Sequence, residues 1–227
     1  MGAVLLILFV LLILAIGVIA IVAVLKSHKN VKERPQTLAL AAAPLGLQPV
    51  ANAEAMAAWA FQGSILQEMP SVAAVVQGQT AMGHVTVVET VFSSGGRIRH
   101  ANVQTVVVFY GTSPLPRMVI QPSSHEWPVQ GLTAINFSES EDEHLAAFGF
   151  SYSVHTSDVH AVRALMTPTL AAHFSHLDDA DKAPTIEILP DRILYFIPRK
   201  EADASRLGAF LSEAFASVQT LMGAMVR

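Results

Sequence analysis

Two histidines and a nearby aspartate have the spacing best suited to chemistry in this chain. His173 and His176 are three residues apart, and Asp178 follows two residues later. Residues three apart share one face of a helix, so both imidazoles could hold a divalent cation with the carboxylate as a third ligand. A metal-assisted hydrolase could use such a site. The alternative is a solvent-facing pair near a helix C-terminus, where partial positive charge is favourable.

We adopt the second alternative, and therefore predict no metal site, no cofactor site and no catalytic residue. Familiar catalytic motifs are also absent: the sequence contains no Gly-x-x-x-x-Gly-Lys, Gly-x-Gly-x-x-Gly, Gly-x-Ser-x-Gly or His-Glu-x-x-His motif. The chain has no cysteine, which excludes disulfides and thiolate metal ligands. Its serine, histidine and aspartate residues are too scattered to argue a triad. We expect the protein not to be an enzyme.

A run of carboxylates between Ser138 and Glu143 is a second candidate site. Closely spaced carboxylates suit Ca²⁺, which prefers oxygen ligands. The Asp/Asn spacing and the central glycine of a calcium loop are absent, however. We interpret the run as a solvated loop.

The stretch from Val4 to Leu25 contains no charge, no proline and no strongly polar side chain. As a helix rising ~1.5 Å per residue it reaches about 33 Å, enough for the roughly 30 Å hydrocarbon layer. A signal peptide has a basic segment, a shorter apolar run and a small-residue cleavage site, none of which is present here. Residues 1–25 are therefore predicted to be a retained, single-pass transmembrane helix.

Four cations follow the predicted span, within a basic juxtamembrane collar at residues 26–37: Lys26, Lys29, Lys32 and Arg34. Lys and Arg near the end of a span stay in the cytoplasm. We therefore predict a cell inner membrane protein with its N-terminus outside and its C-terminal domain in the cytoplasm. The cations could also be a solvated face or bind lipid phosphates, and neither alternative changes this topology.

The remainder of the chain, residues 38–227, is acidic and long enough for a domain with a substantial core. Removing the four collar cations and Glu33 from the totals of 14 Lys plus Arg and 18 Asp plus Glu leaves 10 against 17, a net charge of −7. Nucleic-acid binding needs a basic surface, so this partner class is excluded. The same charge is expected to hold the domain away from an anionic leaflet.

Residue patterns predict antiparallel strands in the soluble part. Val- and Thr-rich runs around Ser93–Arg97 predict one hairpin, and runs around Pro190–Asp191 predict another. Residues 72–76 are a short strand or an edge, and Phe150, Tyr152 and Val154 alternate as one face of a strand. We expect an antiparallel meander with strands at 84–92, 103–110, 117–121 and 132–137, and a second hairpin with strands at 185–189 and 192–197.

Capping residues predict the helices. Asn52 precedes a helix over residues 53–61, Asp158 precedes one over 159–166, and Thr167-Pro168 starts the next. A short helix is expected over 37–43. Apolar residues at three- and four-residue steps from Leu207 to Met225 predict a closing amphipathic helix that packs on the sheet.

The order of several turns and core positions resembles that of uncharacterised bacterial single-pass membrane proteins. The resemblance covers nearly the whole chain and implies a bacterial source and an N-terminal anchor, without any activity, cofactor or catalytic residue. The positions that carry it are Leu45-Gly46, Gly78 to Gly83, the first hairpin, Gln104-Thr105-Val106-Val107, Leu115-Pro116-Arg117 with Pro122, the strand Phe150-x-Tyr152-x-Val154 running to Asp158, Leu165 with Thr167-Pro168, and the closing hairpin and helix.

The fold class expected is α+β: a transmembrane helix, then a soluble domain of antiparallel hairpins covered by helices. A division of this domain near residue 140 fits the pattern. For function, we expect a membrane-anchored interaction protein, an accessory or scaffold subunit beside another membrane protein or complex. The alternatives are a tethered module that binds or senses a small ligand, and a metal-assisted hydrolase using His173, His176 and Asp178.

Overall fold

The computed structural model describes residues 33–68, 71–81, 83–93, 101–111, 115–125, 127, 129–175, 183–198, 200 and 202–223. The predicted anchor and the first seven residues of the collar, 26–32, lie outside these residues. Within the described ranges, no helix is both long and apolar enough to cross a membrane.

The described residues form an α+β fold around one antiparallel sheet, as the sequence predicts. Every pair of neighbouring strands is antiparallel. The nine strands are β1 (Gln48–Pro49), β2 (Ser71–Thr80), β3 (Gly83–Ser93), β4 (Ala101–Tyr110), β5 (Met118–Pro122), β6 (Thr133–Ile135), β7 (Tyr152–Thr156), β8 (Thr185–Leu189) and β9 (Arg192–Phe196).

The strand order is β1-β2-β3-β4-β9-β8-β5-β7-β6, so the predicted meander is wrong beyond β4. The late hairpin β8–β9 separates β4 from β5, and β7 lies between β5 and β6. Local turn signals do not determine this order, because β4 and β5 each pair with a strand of the distant hairpin at residues 185–196. Beyond β4, strands that follow residue 140 in the sequence alternate with strands that precede it in the same sheet.

Six helices accompany the sheet in the described part of the chain. The first, α1, comprises residues 33–42 and is followed by a short 3₁₀ turn. The others are α2 (Ala53–Phe61), α3 (Glu143–Ser151), α4 (Val159–Leu165), α5 (Pro168–Ser175) and α6 (Leu207–Gly223).

Three predicted caps are confirmed by side-chain oxygens that accept backbone N–H groups. Asn52 accepts from Ala55 at 3.2 Å, and Asp158 accepts from Ala161 at 3.0 Å. The Thr167 hydroxyl accepts from the Leu170 N–H at 3.3 Å, directly before α5. These bonds satisfy N–H groups that have no partner inside the helix.

Hydrophobic cores lie on both sides of the sheet. The larger core joins buried residues of α1, α3, α4, α5 and α6 to one face of the strands, and α2 packs on the other face. In β4, Val107 contributes to the larger core, while Val106 and Val108 contribute to the smaller one. A strand covered on both faces is apolar at consecutive positions, which explains the run of valines here.

Helix α3 was not predicted, and it corrects the placement of Phe150. The alternation with Tyr152 and Val154 predicts a shared strand face, but Phe150 lies in the helix and is 73% exposed. Asp142, a member of the acidic run, accepts N–H bonds from His144 and Leu145 at 2.9 and 3.1 Å and so caps this helix. The acidic run therefore begins as a loop at Ser138, and its last residues, Asp142 and Glu143, form the N-terminus of α3.

We expect Gly149→Ala to destabilise the fold by roughly 2–4 kcal/mol, because overpacking a close backbone approach forces the chain apart. An added Cβ would lie 2.5 Å from the Phe137 carbonyl carbon and would also contact the Ser138 nitrogen. Gly208→Ala in α6 is the matched control. Its Cβ would lie 3.5 Å from Leu45 Cδ2, an ordinary contact, so higher helix propensity should leave stability unchanged or raised. Equal melting temperatures for the two variants would contradict the prediction.

Candidate functional site

The predicted histidine site is only partly within the described residues. His173 is on α5, half-buried, with Nε2 3.4 Å from the Ser217 hydroxyl on α6. His176 and Asp178 lie outside the described residues, so the absence of a metal site remains a prediction. In the part of the chain that the structure describes, no three His, Cys, Asp or Glu residues are grouped to hold a metal ion.

Ser217 and His173 are the residue types of a nucleophile and its base, but Ser217 is 1% exposed, so its hydroxyl is closed to solvent. These side chains continue into a polar chain that runs from the core to the exposed Glu213. The Tyr195 hydroxyl donates to Glu213 Oε1 at 3.3 Å and also interacts with Ser217. Burial, followed by the Glu213 carboxylate, raises the pKa of Tyr195 well above its usual range.

A cavity of about 230 Å³ lies at the outer end of this polar chain, between α6 and the segment that follows β9. Its volume is below the 300–1,000 Å³ typical of drug-sized ligands, so it suits only a small molecule. Charged side chains of both signs and an apolar strip line it: Ile197, Lys200, Ala202, Asp203, Arg206, Ala209, Phe210 and Glu213.

The wall of the cavity that contains Ile197, Lys200, Ala202 and Asp203 is fixed to the sheet. The Thr105 N–H donates to the Lys200 carbonyl at 3.1 Å, and the Ala202 N–H donates to the Thr105 hydroxyl at 2.8 Å. Arg34 of α1 donates to the Ala202 carbonyl at 2.6 Å. Strand β4 and helix α1 therefore hold this wall from two directions, which makes the cavity a preformed feature.

The same arginine forms a buried ion pair behind the cavity. Arg34 Nε and Nη2 donate to the two carboxylate oxygens of Glu89 at 2.7 and 2.6 Å. Arg34 is 9% exposed and Glu89 is fully buried. The alternatives of a solvated face and of lipid phosphates are therefore wrong for Arg34, and its place in a juxtamembrane collar stays a prediction. A carboxylate on the helix-covered face of β3 needs a cation, and Arg34 provides it with bidentate geometry.

A second buried carboxylate, Glu187 of β8, lies on the opposite face of the sheet. Its oxygens accept the Ile65 N–H at 3.1 and 3.0 Å, and Arg117 Nη2 is 3.9 Å away. Arg117 also donates to the Gly63 carbonyl at 2.8 Å. Desolvation raises the pKa of Glu187 to about 7 against the smaller opposing effects of the Ile65 N–H and the two nearby arginines, Arg117 and Arg192.

These contacts hold the loop after α2 against the sheet, and Arg192 holds the end of the helix itself. Its guanidinium donates to the Ala60 carbonyl at 2.9 Å, to the Gln62 carbonyl, and to both Asp191 oxygens at 2.7 Å. Such donors satisfy the last carbonyls of a helix, which have no partner within it. These bonds tie α2 and the loop after it to strands β8 and β9.

Sequence reasoning missed Arg34, Glu89 and Glu187, although a signal was present. Each glutamate stands alone among apolar and β-branched residues of a predicted strand, in Val-Val-Glu-Thr-Val and Thr-Ile-Glu-Ile-Leu. A strand buried on both faces places such a carboxylate inside the protein, where it requires a partner. The identity of the partner depends on tertiary contacts, because Arg34 and Glu89 are 55 residues apart.

Comparisons with known proteins assign no family to this chain. No protein-family model matches it, and no curated protein matches it. Among solved structures, it is similar to the crystal structure of the mycobacterial trehalose monomycolate transport factor A, with a TM-score of 0.48 and 11% sequence identity. The similarity covers 70% of this chain and 77% of that chain. At this level, evidence for function has to come from the chain's own residues.

Proposed function

We propose that this chain is a membrane-anchored, non-enzymatic interaction protein, an accessory or scaffold subunit of a membrane complex. In this proposal, residues 4–25 form one span of a bacterial inner membrane, with the N-terminus outside and the α+β domain in the cytoplasm. The observation that supports it most is the buried ion pair between Arg34 and Glu89.

The ion pair matters because of its position in the chain. Arg34 lies nine residues after Leu25, the predicted end of the anchor, and Leu38 and Ala42 of the same helix are fully buried in the larger core. Helix α1 is therefore part of the rigid domain and leaves only a short connection to the anchor. A short connection restricts how the domain can turn relative to the membrane, which suits a subunit that presents one surface to a neighbour.

Three large apolar side chains provide candidate contact points on this domain. Leu40, Trp59 and Phe150 are 78%, 47% and 73% exposed. Aromatic residues are enriched at protein interfaces, and the net charge of −7 for residues 38–227 favours a neighbour with a basic surface. These features support a protein partner more than a catalytic role.

Site-specific photocrosslinking in native membranes tests the scaffold proposal. A photoreactive amino acid at position 40, 59 or 150 is expected to give a discrete crosslinked band with one partner in at least one case. Positions 141 and 163, exposed and polar, are the matched controls. Mass spectrometry should recover that partner in about equal amount. An uncrosslinked monomer at all three positions, at native expression, would argue against a scaffold.

The predicted topology has its own test, which does not depend on a partner. A C-terminal fluorescent-protein fusion is expected to fluoresce, while the matching alkaline-phosphatase fusion should be inactive, because that enzyme needs the oxidising side of the membrane. The reverse result would place the domain outside and overturn the cytoplasmic assignment, leaving the span itself in place.

The cavity beside α6 favours a second candidate function, a tethered module that binds a small ligand. Its walls are preformed and carry both charges, as ligand sites commonly do. The hydrolase alternative has support only from the spacing of His173, His176 and Asp178 and is the weakest of the three.

A further inference from the structure

The charges of the cavity are separated along α6. Arg206 precedes the helix and Glu213 lies seven residues later on the same side, which corresponds to about 10 Å along the axis. Between them, Ala209 and Phe210 form an apolar strip that faces Ile197 across the cavity. The cavity is thus positive at one end and negative at the other, with a short apolar middle.

Two cations, Lys200 and Arg206, line the cavity and favour an anion. Arg206 is exposed, and its charge attracts the Asp203 carboxylate. Asp203 opposes them with one negative charge, but one of its oxygens already accepts the Ser205 N–H and hydroxyl at 2.9 and 2.8 Å.

The negative end is a single carboxylate with spare acceptor capacity. Glu213 uses Oε1 for the Tyr195 hydroxyl, which fixes the side chain in place. A carboxylate has two oxygens and about four lone-pair sites, so Oε2 can accept from an ammonium group. Because Tyr195 holds its proton far above neutral pH, it acts here as a donor that orients Glu213.

We propose that this cavity binds a compact zwitterion of the phosphoethanolamine type. Its phosphate lies against Lys200 and Arg206, and its ammonium donates to Glu213. A volume of about 230 Å³ leaves room for a compact head group with a two-carbon spacer and not for a drug-sized molecule. Two cations suit a doubly charged phosphate better than a singly charged carboxylate. The proposal goes beyond the scaffold role and stands whether or not residues 4–25 span a membrane.

The ligand chemistry is shared by a free metabolite and a lipid head group. Helix α1, which follows the predicted anchor, contacts the cavity wall through the bond from Arg34 to the Ala202 carbonyl. The predicted anchor makes a phosphatidylethanolamine head group one source, and the test separates it from the free compound.

Calorimetric titration of the full-length protein in detergent is the direct test, with O-phosphoethanolamine, glycerol 3-phosphate and ethanolamine as the compounds. We expect saturable binding of O-phosphoethanolamine, at least about tenfold tighter than binding of either other compound. Glycerol 3-phosphate lacks the ammonium group, and ethanolamine lacks the phosphate. No saturable binding, or equal affinity for all three compounds, overturns the proposal.

Charge-removing variants locate the site. Arg206→Gln is expected to weaken O-phosphoethanolamine and glycerol 3-phosphate by about tenfold and leave ethanolamine unchanged. Glu213→Gln keeps an acceptor for Tyr195 and should weaken only the two amines. Arg163→Gln and Glu141→Gln, exposed and outside the cavity, are the matched controls. If the cavity variants bind like these controls, binding takes place elsewhere and the proposal fails.

Reconstitution into nanodiscs identifies the source of the ligand. The titration is repeated in phosphatidylglycerol discs with and without phosphatidylethanolamine. A weaker apparent affinity for O-phosphoethanolamine in the discs that contain phosphatidylethanolamine shows competition by the head group, and supports a lipid ligand. An unchanged affinity supports a free zwitterion in the same cavity. The topology fusions test the anchor separately, so failure of the span and failure of this site are distinguishable.

Discussion

Replacing Arg34 by leucine is expected to lower the unfolding free energy by about 3–5 kcal/mol, a large part of the stability of a typical domain. The cause is the carboxylate left behind. Glu89 is fully buried on β3, and its two oxygens now accept from the arginine at 2.7 and 2.6 Å. Without that cation, Glu89 must keep an uncompensated charge in the core or take up a proton.

Urea unfolding of the full-length protein in mild detergent measures this loss. Arg206→Leu is the matched control, since that guanidinium is exposed and makes no ion pair in the described ranges. We expect it to change stability by less than about 0.5 kcal/mol. The double variant Arg34→Met with Glu89→Met should recover most of the loss, because two apolar side chains can replace a buried pair. Equal stability of the Arg34 and Arg206 variants would contradict the assignment.

Glu187→Gln is expected to stabilise the protein at pH 8 by about 3 kcal/mol and to have little effect at pH 4.5. Burial raises the pKa of Glu187 from the ordinary 4.5 to about 7 in the folded state. Between these values the folded protein holds a proton that the unfolded chain has released. Rising pH therefore favours unfolding. The stability that the bound proton contributes is lost as pH passes from about 4.5 to about 7. Glutamine avoids this cost while its carbonyl still accepts the Ile65 N–H.

The difference in unfolding free energy between the Glu187→Gln variant and the parent isolates the titration of Glu187, because other carboxylates are the same in both proteins. One of these is Asp203, whose pKa is lowered mainly by the Ser205 hydroxyl. Unfolding free energies should be compared at several values from pH 4.5 to 8. Glu141→Gln, on the exposed acidic loop, is the control and should follow the parent curve. A Glu187→Gln curve parallel to the parent across this range would show that the carboxyl titrates normally.

Local signals predicted the fold where the determining contacts are local. The caps at Asn52, Asp158 and Thr167 and the two hairpins are encoded within a few residues, and the structure confirms them. Helix α3 was missed because its apolar residues continue into the alternation of β7. The strand order could not be predicted, since nothing near β4 indicates that β9 will pair with it.

The candidate site was harder to predict for the same reason. The cavity combines a segment after β9, one face of α6 and the position of Arg34, and each piece has an ordinary alternative role. Lys200 and Glu213 look like solvated charges in the sequence, and Arg34 looks like part of a juxtamembrane collar. These residues come together only when the strands pair, so their spacing along the chain does not predict the cavity.

The insertion of β8 and β9 between β4 and β5 also determines the order of events during biosynthesis. Residues 185–196 leave the ribosome after all the other strands of the described sheet, yet they occupy the middle of that sheet. Until then, the edges of β4 and β5 have no partner and depend on slow, distant pairing, the kind of intermediate that chaperones protect. Nonsense mutations before Thr185 should therefore yield aggregation-prone chains that proteases remove, rather than a shortened functional protein.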